Sequence, residues 1–247
     1  MHEELLPGGN STRVSRVGDT VRRATGPWTP AVHELLAVLR AAGIDEVPEP
    51  LGFDDAGREV LSYLPGELGH HPLPDWLWRQ GVLEDAGALL RRIHDASLPL
   101  VMRDADWQLP THEPVEVICH NDVAPYNLVF TGGRLSGIID FDTASPGPRI
   151  WDLAYLAYRL VPFAEDSGDG APADERRPAR LRALIEGYGG EFEPAELLRV
   201  MAERLNELAE LTDRRAADTG RDEFTLHSAM YRRDAAHVLA LADSAQI

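Results

Sequence analysis

His120-Asn121-Asp122-Val123-Ala124-Pro125-Tyr126-Asn127 is followed by the apolar run Leu128 to Phe130, the turn Thr131-Gly132-Gly133, and the run Leu135 to Ile139 ending in Asp140-Phe141-Asp142. This stretch decides how the chain is read. Val115, Glu116, Val117 and Ile118 ahead of it have the character of a strand, and two short apolar runs about a Gly-Gly turn make a tight β-hairpin. A hairpin folds its two ends together, so Asn127 and Asp140 share one open end, with Asp122 converging on them from the loop. Phosphoryl transfer asks little covalent help of a protein. It needs a divalent cation held against phosphates and a carboxylate that orients the attacking hydroxyl.

Upstream, Arg13 to Val17 and Thr20 to Ala24 flank Gly18-Asp19, a Gly-first pair that predicts a hairpin with a type II′ connection. Thr29-Pro30 opens a helix, and Val32, Leu35, Leu36 and Leu39 continue it at helical spacing as far as Gly43. Leu51 to Phe53 and Arg58 to Leu64 flank Asp54-Asp55-Ala56-Gly57 as a second hairpin, closed by Pro65-Gly66. Trp76 to Ala96 keeps a helical period through Leu77, Val82, Leu83, Ala86, Leu89, Leu90 and Ile93. Beyond residue 149 the chain reads as almost all helix, with breaks at Gly187 to Gly190 and Thr219-Gly220 and a charged connection near Pro172 to Pro178. Strands gathered early and helices late predict an α+β fold with a small β-rich first lobe, residues 1–64, and a larger, mostly helical second lobe, residues 65–247.

The pattern His-x-Asp-x-x-x-x-Asn followed by Asp-Phe resembles the catalytic and metal-binding segments of protein kinases. It is more similar to the aminoglycoside phosphotransferase and choline kinase group, in which an Asp-Leu-Ala follows shortly after, as Asp152-Leu153-Ala154 does here. The resemblance covers at least residues 117 to 156 and implies a two-lobed protein-kinase-like fold. It also implies ATP and Mg²⁺ as cofactors and transfer of the γ-phosphate to a hydroxyl of a small molecule. Asp122 would be the catalytic base, and Asn127 and Asp140 the metal ligands. His120 would brace the loop, and Asp152 at a helix start would serve structure.

The same resemblance assigns Gly8 to Thr12, with Gly9, Asn10 and Ser11 at its centre, as a loop over the triphosphate whose N–H groups face phosphate oxygens; an ordinary turn is the alternative. The group places a cation, usually Lys, on its third strand. Here that duty falls to Arg22 or Arg23, since no lysine occurs in the sequence. Alternation lets one of them point inward, and position relative to the preceding valine selects Arg22. Glu34 is the acid of the following helix available to pair with it, with His33 and Val32 nearer the usual place. Residues Leu61 to Leu64 read either as a hinge, with backbone groups of Ser62 and Leu64 offered to adenine, or as a plain edge strand. Two departures stand out: Asn121 where the group has Gly, and Asp142 where protein kinases have Gly.

Protein kinases carry a long activation segment after Asp-Phe-Gly, whereas Asp140 here is eleven residues from Trp151. The expected acceptor is therefore a small-molecule alcohol and not a protein. The formal charge of −17 disfavours nucleic acid and anionic membranes as partners and suits a cationic small molecule, although acidity also serves solubility alone. Glu203, Glu207 and Glu210 share a helical face and would meet either substrate amines or solvent. An aminoglycoside or another amino alcohol is the leading acceptor, which would make antibiotic resistance the role. Homoserine, choline, a sugar or a macrolide would use the same motif, and a catalytically silent nucleotide-binding protein is the reading from another class. Cys119 alone precludes an internal disulfide, and the absence of a leader-like start or a long apolar run predicts a cytoplasmic protein.

Overall fold

The structure is a computed structural model that describes residues 3–6 and 14–244. Strands β1 (Glu3–Leu5), β2 (Ser15–Val17) and β3 (Thr20–Arg23) precede helix α1 (Thr29–Ala41), and β4 (Pro50–Phe53), β5 (Glu59–Ser62) and β6 (Glu67–Leu68) follow it. Helix α2 (Gln80–Ser97) leads to β7 (Val117–Cys119), β8 (Leu128–Thr131), β9 (Arg134–Ile138) and β10 (Ser145–Gly147). The remainder carries α3 (Arg149–Leu160), α4 (Arg177–Tyr188), α5 (Pro194–Thr219) and α6 (Asp222–Asp243). The α+β class expected from the sequence is the one observed.

Two compact units make up the chain. The first comprises Met1–Leu68, Arg92–Asp122 and Tyr126–Pro148. Its antiparallel sheet runs in the order β1-β2-β3-β5-β4 among the described residues. Gly18 supplies the positive φ of 63° that the β2–β3 turn needs at its first central position. In the β4–β5 turn the Asp54 carboxylate accepts the N–H groups of Ala56 and Arg58, at 3.0 and 2.9 Å. Helix α1 starts with Pro30 in its first turn, where a missing N–H costs nothing, and Gly43 follows its end with φ of 78°. Val32, Leu35, Leu36 and Leu39 lie on one buried stripe, in the same core as Ile44, Val47 and Val60. A second sheet, β6-β8-β9, contains the expected hairpin, whose Gly132 and Gly133 both have positive φ. β10 pairs with β7.

The second unit comprises Gly69–Arg91, Val123–Pro125 and Arg149–Ile247. Leu153, Leu156 and Leu160 of α3 and Leu197, Leu198, Met201 and Leu205 of α5 are fully buried, and α5 packs along both α3 and α6. Two polar groups are locked into this helical core. Arg180 donates to the carbonyls of Trp78 and Leu160 at 2.7 and 2.6 Å, and burial, with Arg176 adding repulsion, lowers its pKa to about 10. The Tyr158 hydroxyl donates to Asp234 Oδ2 at 2.6 Å, and burial raises the pKa of both groups. Among the described residues, no helix is long and apolar enough to cross a membrane.

Candidate active site

The site is assembled where the chain leaves β7. His120 lies under the loop with both ring nitrogens used: Nδ1 accepts the Asp122 N–H at 3.2 Å, and Nε2 donates to the Ile139 carbonyl at 3.0 Å. That arrangement requires the neutral ring with its proton on Nε2. The ring also packs on Phe141, centroid to centroid 4.5 Å, so His120 ties the loop to both sides of Asp140. The brace expected of this residue is present.

Asn121 has φ of 65°, a left-handed conformation that glycine adopts freely and asparagine tolerates best among side-chain-bearing residues. Its Nδ2 donates to the Thr143 carbonyl at 2.9 Å and to Ser145 Oγ at 2.8 Å. The departure from glycine is thus conformationally conservative, and the side chain adds an anchor to the segment behind Asp140.

Asp122 is half-buried, and each of its carboxylate oxygens accepts a hydrogen bond. Tyr126 donates its hydroxyl to Oδ1 at 2.6 Å, and Asn127 donates Nδ2 to Oδ2 at 2.9 Å. A tyrosine four residues past an aspartate in a tight loop is the signal that sequence reasoning passed over. Asn127 is buried and its amide nitrogen is committed to Asp122, which reserves Oδ1 as the atom able to meet a cation. The Ile139 N–H donates to the Asn127 carbonyl at 2.9 Å, so the hairpin delivers Asn127 and Asp140 side by side in the backbone. Asp140, φ 66° and ψ 67°, keeps 48% of its side chain exposed. Two non-glycine residues in left-handed conformations flank this one loop, the kind of local strain that folds retain at working sites.

The inward arginine is Arg23, which corrects the expectation for Arg22. Cross-strand register sets Arg23 opposite Glu59 and Arg22 opposite Val60. Arg22 turns to the other face of the sheet, to Thr20 Oγ1 at 2.5 Å and Asp54 at 3.6 Å. Arg23, its side chain 8% exposed, spreads its guanidinium over three carboxylates: Nε pairs with Glu59, Nη1 with Asp140 at 2.8 Å, and Nη2 with Asp142 at 2.5 Å. Alternation fixes that adjacent residues face opposite ways; which way depends on a partner 36 positions along, and spacing does not reveal it. Glu34 pairs instead with Arg103 at 2.6 Å.

Burial opposes charge on Arg23, yet Asp142, Glu59 and Asp140 together raise its pKa, so it is a fixed cation. Burial pushes Asp142 up to about 6; Arg23 opposes the shift and Asp140 and Glu59 add to it. Three carboxylates around one guanidinium leave a surplus of negative charge, and the most exposed of the three is Asp140. With Asn127 Oδ1, this is an oxygen-only donor set of the kind a hard divalent cation prefers. The residues present fit Mg²⁺.

The Ser62 N–H donates to the Glu49 carbonyl at 2.9 Å, and Ser62 Oγ accepts the Glu49 N–H at 2.8 Å. β5 lies between β3 and β4, so the segment begins inside the sheet rather than on its edge. Leu64 lies against Gly137: a Cβ on that glycine would come within 2.9 Å of Leu64 Cδ1. Gly9, Asn10 and Ser11 lie outside the described residues. Glu203, Glu207 and Glu210 are exposed along α5.

Residues 98–203 match the phosphotransferase enzyme family. The chain is 34% identical over 200 residues to the trifolitoxin immunity protein of Rhizobium leguminosarum bv. trifolii, covering 76% of this chain and 75% of that protein. It is 31% identical over 202 residues to the homoserine kinase of Pseudomonas aeruginosa, covering 76% of this chain but only 57% of that enzyme. In structure it is similar to the Plasmodium vivax ethanolamine kinase, with a TM-score of 0.71 at 11% identity over 98% of this chain and 84% of that one. The long match at 34% identity and the family match over residues 98–203 agree, and the chain belongs to the phosphotransferase enzyme family.

Proposed function

We propose that this protein moves the γ-phosphate of ATP, with Mg²⁺, onto a hydroxyl of a small molecule, an aminoglycoside or another amino alcohol being the leading acceptor. The observation that carries the reading is the pairing of Asp122 with Asn127 at the base of the hairpin that also holds Asp140.

In this reading Asp122 orients the acceptor hydroxyl and takes its proton. The hydroxyl oxygen forms a bond to the γ-phosphorus as the bond to the β–γ bridging oxygen breaks, leaving ADP. Asn127 Oδ1 and Asp140 are the Mg²⁺ ligands, and the bound ion supplies positive charge against the phosphate oxygens. Arg23 takes the role of the strand cation toward the phosphates, acting through the fixed charge of a guanidinium whose two Nη groups meet Asp140 and Asp142. The loop of Gly9, Asn10 and Ser11 over the triphosphate, and the hinge at Ser62 and Leu64, belong to the same proposal. So does the division by role into a nucleotide-binding lobe, residues 1–64, and a catalytic, acceptor-binding lobe, residues 65–247. A cytoplasmic location completes the reading.

A second reading keeps the chemistry and changes the acceptor. The likeness to a trifolitoxin immunity protein favours a toxin inactivated by phosphorylation, and the likeness to homoserine kinase favours homoserine.

The test is transfer of labelled γ-phosphate from Mg-ATP to a panel of aminoglycosides, homoserine, choline, sugars and macrolides, repeated with Asp122→Asn. Losing a positioned base lowers turnover by about 10² to 10⁴, and the variant should melt like the wild type. Turnover by Asp122→Asn equal to wild type rejects the assignment. A melting shift with Mg-ATP but no transfer to any alcohol favours a silent nucleotide-binding protein instead.

A further inference from the structure

Glu59 is 1% exposed, and burying a carboxylate is costly unless partners meet its oxygens. Its Oε1 pairs with Arg23 Nε, and its Oε2 accepts a hydrogen bond from His33 Nε2 at 3.0 Å. His33 belongs to α1, and its ring stacks on Phe53 of β4, centroids 5.1 Å apart at 18°. One carboxylate on β5 therefore joins an arginine on β3 to a histidine on α1. The contact is an ion pair without hydrogen-bond geometry, and because the guanidinium is planar, Nε held against Glu59 sets where the Nη edge lies. Its Nη edge then faces Asp140 and Asp142, where both nitrogens are engaged. A lysine ammonium, a point charge on a flexible stem, could not be aimed in this way.

We propose that Glu59 is the positioning residue for Arg23, supplied by β5 and not by the helix, and that His33 is the residue that holds Glu59 in place. The inference rests on the reading of Arg23 as the phosphate-facing cation. In a chain without lysine, the strand cation is kept in line by a carboxylate on the neighbouring strand. The helix contributes a ring N–H donor in place of an acid. Glu34, the acid next to His33, is occupied elsewhere by Arg103.

The experiment measures calorimetric affinity for Mg-AMP-PNP and for adenosine, with melting temperatures, in wild type and in Glu59→Gln, His33→Gln, His33→Leu and Arg23→Gln. Glu59→Gln should weaken Mg-AMP-PNP binding by about tenfold or more, the effect of losing a charge-assisted hydrogen bond, and leave adenosine binding unchanged. His33→Gln keeps a donor near the same reach and should stay close to wild type, while His33→Leu should lose Mg-AMP-PNP affinity without losing adenosine. A general structural role would weaken both ligands together. Should Glu59→Gln not fold, the two His33 variants carry the test. The inference is overturned if Glu59→Gln and His33→Leu bind Mg-AMP-PNP as wild type does while Arg23→Gln binds it weakly. If Arg23→Gln binds it as tightly as wild type, the phosphate role of Arg23 falls first and the inference with it.

Discussion

Asn127 is joined twice to Asp122: its Nδ2 donates at 2.9 Å to the main-chain carbonyl and at 2.9 Å to carboxylate Oδ2. In the proposed reading the amide does two things at once, since its nitrogen end orients the base and its oxygen end remains for a cation. Asn127→Asp separates these roles. It keeps an oxygen for a metal but places carboxylate against carboxylate, which disfavours the ionised base. Turnover of this variant is expected to fall by about 10² or more, measured at saturating Mg-ATP. Activity equal to or above wild type would mean that metal ligation alone explains the residue.

Asn121 sets a contest between backbone strain and hydrogen bonding. Its φ of 65° costs most residues with a Cβ roughly 1–2 kcal/mol and asparagine less, and its two side-chain bonds recover about 0.5–1.5 kcal/mol each. Asn121→Gly loses the bonds and sheds the strain, whereas Asn121→Ala loses the bonds and keeps it. Urea denaturation should rank the variants wild type, Asn121→Gly, Asn121→Ala, in falling stability. An alanine variant more stable than the glycine variant would contradict the left-handed assignment.

The Tyr158–Asp234 pair gives a pH dependence with a definite sign. Burial raises the folded-state pKa of Asp234 above its ordinary 3.8, although Tyr158 and the Glu165 N–H oppose the shift. A raised carboxylate pKa means that the folded protein binds more protons than the unfolded chain between those two values. Stability from this group is therefore present at low pH and is lost as pH rises from about 4 through the folded pKa. Asp234→Asn keeps an acceptor oxygen for Tyr158 and removes the titration. The stability of the variant minus that of wild type should grow as pH rises from 4 to 7, followed by melting temperature; a difference that shrinks would reverse the sign.

The hairpin and the loop before it are legible in the sequence because short-range rules coincide there. Gly132-Gly133 fixes a two-residue turn, and the turn fixes which residues share the open end. What escapes is long-range. Arg22 and Arg23 are equivalent until the β3–β5 register places Glu59 opposite one of them, and Glu59 gives no local sign of being buried. Ser145-Pro146-Gly147 forms β10 against β-propensity, which a ribbon of two edge strands tolerates and a propensity scale does not foresee. Tyr126 is missed because its partner Asp122 is read by motif, and motifs name ligands without naming what holds them. The brace at His120 and the anchor at Asn121 are legible in kind but not in partner, since Ile139 and Thr143 are reached only once the hairpin closes.

Two glycines of α2 separate helix propensity from packing. At Gly81 an added Cβ meets open space, and Gly81→Ala gains part of the 0.5–1 kcal/mol or so by which alanine outdoes glycine in helices. At Gly87 the same Cβ would stand 2.7 Å from the Tyr188 nitrogen and 2.8 Å from the Leu184 carbonyl oxygen. Both atoms are backbone of α4, so no side chain can swing aside. The facing Gly187 is equally close, with its own Cβ position 2.7 Å from Glu84 Cα. Overpacking of this kind costs about 1–3 kcal/mol, more than the propensity gain. Gly87→Ala should thus lower the melting temperature while Gly81→Ala leaves it equal or higher. If both substitutions stabilise, α2 and α4 are not in backbone contact at this crossing.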